Sequence, residues 1–351
     1  MPDVLYVGLQ EDDKIARFGI DAGAGKLEPR GETPAAGAPS VFAVSPNRHI
    51  LYVGYRGTPG IESWRIDSAG GALTSLGRVA TEHWPTYLAT DRTGKYLLSA
   101  HYQGGYAAVY PLGGDGAVSG PAVDRQNTAP GAHAILTDPS NRFAFVPHIA
   151  RQNDNVLEPP KNIPGPNFIA QFRFDAATGR LSPNAPFKLD PPGPIGPRHY
   201  CFHPTLDLAY FSDEQGCSVT AYRVDRASGT LAVVGTTPSL PQGVTVRNTC
   251  SQIYLTPSGR FLYVGNRGHN SIAGFAVDPA GRLTPAGHAP TEAVPTAFGL
   301  DSRGTFLFAA GTATGRLASY RVDEATGKLA PLGIYSLGRR PAAVLAIPLG
   351  R

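Results

Sequence analysis

The 351-residue sequence predicts an all-β fold, a seven-bladed β-propeller of four-stranded antiparallel blades with the ring closed by the C-terminal strand completing the first blade. Two repeated signatures and one leftover strand carry that reading. An aromatic-aliphatic strand core occurs seven times: Leu5-Tyr6-Val7, Leu51-Tyr52-Val53, Leu97-Leu98-Ser99, Ala144-Phe145-Val146, Ala209-Tyr210-Phe211, Leu262-Tyr263-Val264 and Leu307-Phe308-Ala309. A Gly-x-Leu/Val turn into a strand travels with it, beginning at Gly25, Gly71, Gly116, Gly179, Gly229, Gly281 and Gly327. Successive copies lie 45 to 53 residues apart, except for one step of 65 in the first series and 63 in the second. The leftover strand is the apolar run Ala342 to Ile347. The chain opens on the second strand type, so this run is expected to supply the missing innermost strand of the first repeat and remove two open edges.

Repeat six shows the unit. Ile253-Tyr254-Leu255 reads as the first strand and Pro257-Ser258-Gly259 as a turn. Phe261 to Val264 is the second strand, Ile272 to Val277 the third, and a fourth starts near Leu283 after the Gly281 turn. Because the blades share one closed ring, residues 1–351 are expected to form a single domain, with an insertion over 151–167 in repeat four.

Bulk composition agrees. Glycine (42) and proline (33) make up about a fifth of the chain, as recurring tight turns require. Charged residues are sparse at 17% and the net charge of +4 comes without a Lys/Arg run, which argues against a nucleic-acid partner. The opening Met1-Pro2-Asp3 enters a strand with no charged-then-apolar leader, and no apolar run is long enough to span a membrane. The expectation is a soluble cytoplasmic protein without membrane contacts, a monomer or weak homo-oligomer. Cys201, Cys217 and Cys250 lack Cys-x-x-Cys spacing, so they are expected to be buried small hydrophobes, not a disulfide or a zinc site.

Topology locates the site. In such a meander the start of strand one, the end of strand two and the exit of strand four share one end of the blade. Aligning the repeats exposes two slots there. The slot before strand one holds Ser40, Thr86, His133, Arg198, Ser251 and Thr296; the slot after strand two holds Gln10, Arg56, Tyr102, Ile149, Glu214, Arg267 and Thr312. Repeats four to six concentrate the reactive members His133, Arg198, Glu214 and Arg267. The insertion Arg151 to Asn167 and the connections Ser182 to Pro197 and Thr236 to Cys250 are expected to project over the same mouth, marking it as the binding face.

This set suits an anion and a proton transfer. Arginine offers a planar donor fork for carboxylate or phosphate, or for an oxyanion growing on a carbonyl. His or Glu can activate water or take a carbon-bound proton. No metal or other cofactor is expected, since His133, His199, His203 and Glu214 lack ligand spacing. Structural readings compete: Arg198 and Glu214 could be an interblade ion pair, and a lone His133 could be a satisfied structural histidine. His203 is read as a turn cap. His101, His148, His199, His269 and Tyr102 are further mouth-side candidates, and Arg56, on a distant blade, would reach only a large ligand.

The stretches Gly131-Ala132-His133, Gly196-Pro197-Arg198-His199 with Phe202-His203-Pro204, Glu214, and Gly265-Asn266-Arg267-Gly268 resemble the seven-bladed lactonase propeller family, and the resemblance runs the length of the chain. That family includes propeller-type 6-phosphogluconolactonases and fungal 3-carboxy-cis,cis-muconate lactonizing enzymes. The resemblance implies His133, Arg198, Glu214 and Arg267 as catalytic residues; His199, His269, Tyr102 and His148 are substrate-binding candidates from their place at the mouth. It implies hydrolysis of an anionic sugar-acid lactone without a metal, Arg198 and Arg267 holding the anion or carbonyl oxygen and Glu214, assisted by His133, activating water. A carboxylate flanked by arginines is a weak base, so His133 competes for that role. A cycloisomerase and a non-catalytic scaffold are the alternatives. The sequence departs from the family in having Gly131-Ala132-His133 where a doubled His-x-His is common, and in the length of the 151–167 insertion; both lie at the mouth.

Overall fold

A computed structural model describes residues 3–349. Met1, Pro2, Gly350 and Arg351, part of the expected domain span, lie outside the described residues. The described residues contain only strands as regular elements. Blade one holds β1 (Asp3–Leu9), β2 (Lys14–Ile20) and β3 (Leu27–Pro34); blade two β4 (Pro39–Val44), β5 (Ile50–Tyr55), β6 (Gly60–Ile66) and β7 (Leu73–Ala80). Blade three holds β8 (Tyr87–Thr90), β9 (Tyr96–His101), β10 (Tyr106–Pro111) and β11 (Asp124–Asn127). Blade four holds β12 (Leu136–Thr137) and β13 (Phe143–Pro147), then a two-stranded excursion, β14 (Arg151–Gln152) with β15 (Ile163–Pro164), before β16 (Ile169–Asp175) and β17 (Arg180–Leu189). Blade five holds β18 (Pro197–Phe202), β19 (Leu208–Asp213), β20 (Ser218–Val224) and β21 (Leu231–Pro238); blade six β22 (Cys250–Leu255), β23 (Phe261–Asn266), β24 (Ser271–Val277) and β25 (Leu283–Pro290). Blade seven holds β26 (Pro295–Leu300), β27 (Phe306–Gly311), β28 (Arg316–Val322) and β29 (Leu329–Ser336). The last strand, β30 (Pro341–Pro348), pairs antiparallel with β1, so blade one has the order β3-β2-β1-β30.

The two sequence signatures travel together because they touch. The tyrosine of a strand core donates to the carbonyl of the turn glycine in the next blade: Tyr6 to Gly71 at 2.6 Å, Tyr52 to Gly116, Tyr210 to Gly281 and Tyr263 to Gly327, each at 2.8 Å. Gly71 shows why the turn residue is glycine. Its φ is +73°, and a Cβ there would lie 2.8 Å from the Tyr6 hydroxyl. The second strand of a blade is covered on both faces, so β1, β5, β19, β23 and β27 are buried along their whole length and read as continuous apolar runs. The fourth strands are largely exposed.

The innermost strands carry a feature that strict alternation misses. Near the mouth, blades one, two, five, six and seven each have a register shift between the first two strands, at Gly8/Leu9, Pro39/Val41, Pro197/Tyr200, Cys250/Ile253 and Pro295/Ala297. Such a bulge re-aims the side chains beside it.

Two expected connections are shorter than the sequence suggested. β17 continues to Leu189, paired with β16 across a register shift, leaving 190–196 as the loop; β21 continues to Pro238, leaving 239–249. Both strands are the outermost of their blades, the place in a sheet where proline is tolerated.

Candidate functional site

The two aligned slots converge on one cavity of about 450 Å3 at the channel mouth. His133, Arg198, Glu214 and Arg267 line it together, with Gln10, Ser40, Arg56, Thr86, Tyr102, Thr296 and Thr312 from the same slots. Two slot members do not. Ile149 is buried away from it at 1% exposure, and Ser251 turns into the seam between blades six and seven, donating to the Pro295 carbonyl at 2.7 Å. The blade-six bulge presents Gln252 instead. The blade-five bulge admits both Arg198 and His199 to the wall.

Backbone contacts across the seam of blades five and six set the cluster. Glu214 follows β19; its N–H donates to the Gly196 carbonyl at 2.7 Å, and its own carbonyl accepts from Cys250 N–H at 3.0 Å. Arg267 follows β23, donating from N–H to Thr249 and from Nη2 to Cys250, both at 3.0 Å. The next residue must be glycine, because a Cβ at Gly268 would collide with the Arg247 carbonyl. Arg267 Nη2 then reaches Glu214 Oε1 at 2.5 Å. Arg198 Nε lies 3.1 Å from Glu214 Oε2, close enough for an ion pair but misaligned for a hydrogen bond, and His133 Nε2 is 4.0 Å from the same oxygen.

The cluster is buried and several of its polar atoms lack a hydrogen-bond partner. Glu214 Oε2, Arg198 Nε and Nη1, His133 Nδ1 and His199 Nε2 are buried without a hydrogen-bond partner among the described residues. Such atoms are rare in folded proteins unless something else completes them. Burial first, then the charge of Arg198, holds His133 and His199 well below the usual histidine range, so both are neutral imidazoles at neutral pH. Burial and the neighbouring Arg267 pull Arg198 down to about 10, against the opposing pull of Glu214.

Of the four substrate-binding candidates, two reach the cavity. His199 stands edge-on to Tyr87 and His133, with ring centroids 4.9 and 5.0 Å away. Tyr102 meets His133 edge-on at 5.7 Å, and its hydroxyl accepts from Asn153 N–H at 2.8 Å, tying the insertion to the site. His148 and His269 do not reach the cavity. His148 is fully buried between blades three and four, stacked on Phe168 and bonded to Thr128 Oγ1 at 2.9 Å. His101, the equivalent mouth-side candidate of blade three, is likewise buried, stacked on Tyr106. His269 does not line the cavity; its Nδ1 pairs with Ser271 Oγ at 2.8 Å. In each case a neighbouring hydroxyl satisfies the ring, the structural fate the sequence left open. His203 caps its turn, accepting from Leu206 N–H at 2.9 Å. Cys250 is buried, but Cys201 and Cys217 are only partly so, and all three are free.

The insertion does cover the mouth, bringing Asn153, Asp154, Asn155, Leu157, Glu158 and Lys161 to the cavity. The other two connections brace it from behind. Arg247 donates from Nη2 to Asp154 Oδ1 at 2.7 Å and to the Asn155 carbonyl at 3.0 Å, and from Nη1 to the Glu158 carbonyl. Sequence reasoning missed Trp84, Tyr87, Gln252, Tyr254 and Arg340, which also line the cavity. Arg340 had a signal: it directly precedes the closing strand, one position before Pro341. Among the described residues, no group of three or more His, Cys, Asp or Glu is placed to hold a metal ion.

The family described as "Lactonase, 7-bladed beta-propeller" matches residues 4–346. A 6-phosphogluconolactonase of Pectobacterium carotovorum is 33% identical over 350 residues, covering 99% of this chain and 100% of its own. One of Yersinia pestis is 31% identical over 343 residues, 97% of each chain. Among solved structures, a periplasmic gluconolactonase of Pseudomonas aeruginosa superposes with a TM-score of 0.85 at 23% identity, covering 99% of this chain and 100% of its own, a likeness of fold. A protein from Lactobacillus plantarum does so with a TM-score of 0.86 at 26% identity, over 99% of each chain. With a family match spanning nearly every described residue and full-length 6-phosphogluconolactonase relatives above 30% identity, the chain is a lactone hydrolase and belongs to the seven-bladed β-propeller lactonase family.

Proposed function

We propose that this lactonase opens 6-phosphogluconolactone or a close anionic sugar-acid lactone by direct attack of water, using Glu214, His133, Arg198 and Arg267. The observation that carries the reading is a cluster of buried side chains around Glu214 Oε2, with Arg198 Nε 3.1 Å and His133 Nε2 4.0 Å away, whose polar atoms include several that lack a hydrogen-bond partner among the described residues. Their types match what ester hydrolysis needs: a proton acceptor in Glu214 Oε2, a neutral imidazole beside it, and cationic donors in Arg198. His133 Nε2 and Glu214 Oε2 are 4.0 Å apart, so one water oxygen can hydrogen-bond both at ordinary lengths of roughly 2.8 Å.

In the proposed step the water oxygen adds to the lactone carbonyl carbon while its proton passes to Glu214 Oε2. The carbonyl oxygen gains the negative charge, which the guanidinium donors of Arg198 and Arg267 stabilise. The ring C–O bond then breaks, and the ring oxygen leaves with the proton returned from Glu214. The product carboxylic acid ionises at neutral pH, releasing one proton. His133 orients the water and, being neutral, does not compete with the arginines for the developing anion. The arginine pair also favours an anionic substrate over a neutral one.

Acid release under pH-stat conditions on 6-phosphogluconolactone, unphosphorylated aldonolactones and muconolactones tests this. Turnover above the spontaneous rate that Arg267→Ala and His133→Ala abolish is the expected result. Folded wild-type protein with no turnover on any of them would overturn it.

A further inference from the structure

Five cationic side chains line the cavity, Arg56, Lys161, Arg198, Arg267 and Arg340, against three carboxylates, Asp154, Glu158 and Glu214. The carboxylates are already matched. Glu214 lies between Arg198 and Arg267, Glu158 accepts from Lys161 at 2.8 Å, and Asp154 accepts from Arg247 at 2.7 Å. Arg56 is left over, and among the carboxylates of the described residues Arg340 has only a 3.4 Å contact with Glu11, which does not line the cavity.

Arg56 makes no ion pair or side-chain hydrogen bond among the described residues. What holds it is the face of Trp84, whose ring centroid is 4.6 Å from the guanidinium carbon. Trp84 is fixed in turn, donating from Nε1 to Gln103 Oε1 at 3.1 Å. Arg340 is oriented by Gln10, which accepts from Nε at 3.1 Å, and its nearest carboxylate is exposed Glu11 at 3.4 Å. The two cations repel: burial and then the Arg340 charge hold Arg56 below the ordinary arginine range. Rigidly mounted donors whose charge no carboxylate inside the cavity matches form a site for an anion.

Their place in the ring gives that anion a role. Arg56 follows the second strand of blade two and Arg340 precedes the innermost strand of blade one, whereas Glu214 and Arg267 follow the second strands of blades five and six. In a ring of seven, blade two stands opposite the seam between five and six. We infer that Arg56 and Arg340 form a second anion subsite that takes the phosphate of a phosphorylated lactone while its ring carbonyl lies against Arg198 and Arg267. This rests on the lactonase reading of the Glu214 cluster. The subsite makes Arg56 and Arg340 specificity residues: they recognise the remote phosphate and take no part in ring opening.

The test is kinetics of Arg56→Gln and Arg340→Gln on 6-phosphogluconolactone and on unphosphorylated gluconolactone. Losing one charged hydrogen-bond donor to phosphate is expected to lower kcat/KM for the phosphorylated lactone roughly 10- to 100-fold, mainly through KM. The unphosphorylated lactone should change less than about twofold. Equal losses on both, or no loss on either, would overturn the subsite. Calorimetry with 6-phosphogluconate and with inorganic phosphate separates this inference from the reading beneath it. If wild-type protein opens neither lactone, the lactonase reading fails, yet binding of either probe that Arg56→Gln weakens about tenfold still supports the subsite. Binding unchanged by the substitution, or no binding in the wild type, overturns it.

Discussion

Replacing Glu214 by glutamine separates the two roles open to this residue, interblade clasp and proton acceptor. The amide has nearly the same shape and can still accept from Arg267, so the perturbation is the loss of one charge. At roughly 3 Å and an effective dielectric near 20, each arginine loses about 5 kcal/mol of gross attraction. The pair sits at 7% and 13% side-chain exposure, so water compensates little. Removing one member of a buried ion pair costs about 3–5 kcal/mol in net stability, and that is the expected loss in urea unfolding at neutral pH. Activity should fall further than folding explains. General-base catalysis contributes about 10²- to 10⁴-fold, so kcat on 6-phosphogluconolactone should drop by that factor with KM changed little, at a temperature where both proteins are folded. A variant that loses stability but keeps kcat within about threefold would refute the proton-acceptor role and leave Glu214 as a clasp between blades five and six.

His148 should make the protein acid-sensitive. Burial lowers it from 6.5 to about 3, so on acidification the unfolded chain takes the proton first. Its contribution is therefore complete above pH 6.5 and is lost as pH falls through the window down to about 3. At pH 5 that loss is about 2 kcal/mol, and urea unfolding of His148→Gln should lack it; parallel stability curves for the two proteins would contradict the assignment. Arg247→Ala should loosen the insertion over the mouth, raising KM several-fold more than it lowers kcat and exposing residues 151–167 to limited proteolysis. An unchanged KM together with an unchanged cleavage pattern would show that Arg247 does not hold it.

Much of the site was legible in the sequence because a propeller is periodic. Equivalent positions in each repeat face the same mouth, so aligning turns was enough to bring His133, Arg198, Glu214 and Arg267 to one cavity. Periodicity failed where the backbone departs from it. The bulge in β22 turned Ser251 away and presented Gln252, and the bulge in β18 added His199 beside Arg198. Histidine was the least readable residue type. His148 and His269, unlike His133, lie off the cavity and each has a hydroxyl, Thr128 or Ser271, bonded to the ring.

By itself, the sequence determined the blade number, the strand order within each blade and the end of the ring where chemistry gathers. Those follow from local patterning: continuous apolar second strands, and glycine turns that admit the tyrosine of the neighbouring blade. Which polar atoms stay unsatisfied, and which cations have no carboxylate partner inside the cavity, came from three-dimensional packing alone. Arg56 and Arg340, 284 positions apart in numbering, line one cavity because the chain closes on itself. Pairing of charges depends on distances set by ring closure and by bulges of a single residue, which no one-dimensional pattern encodes.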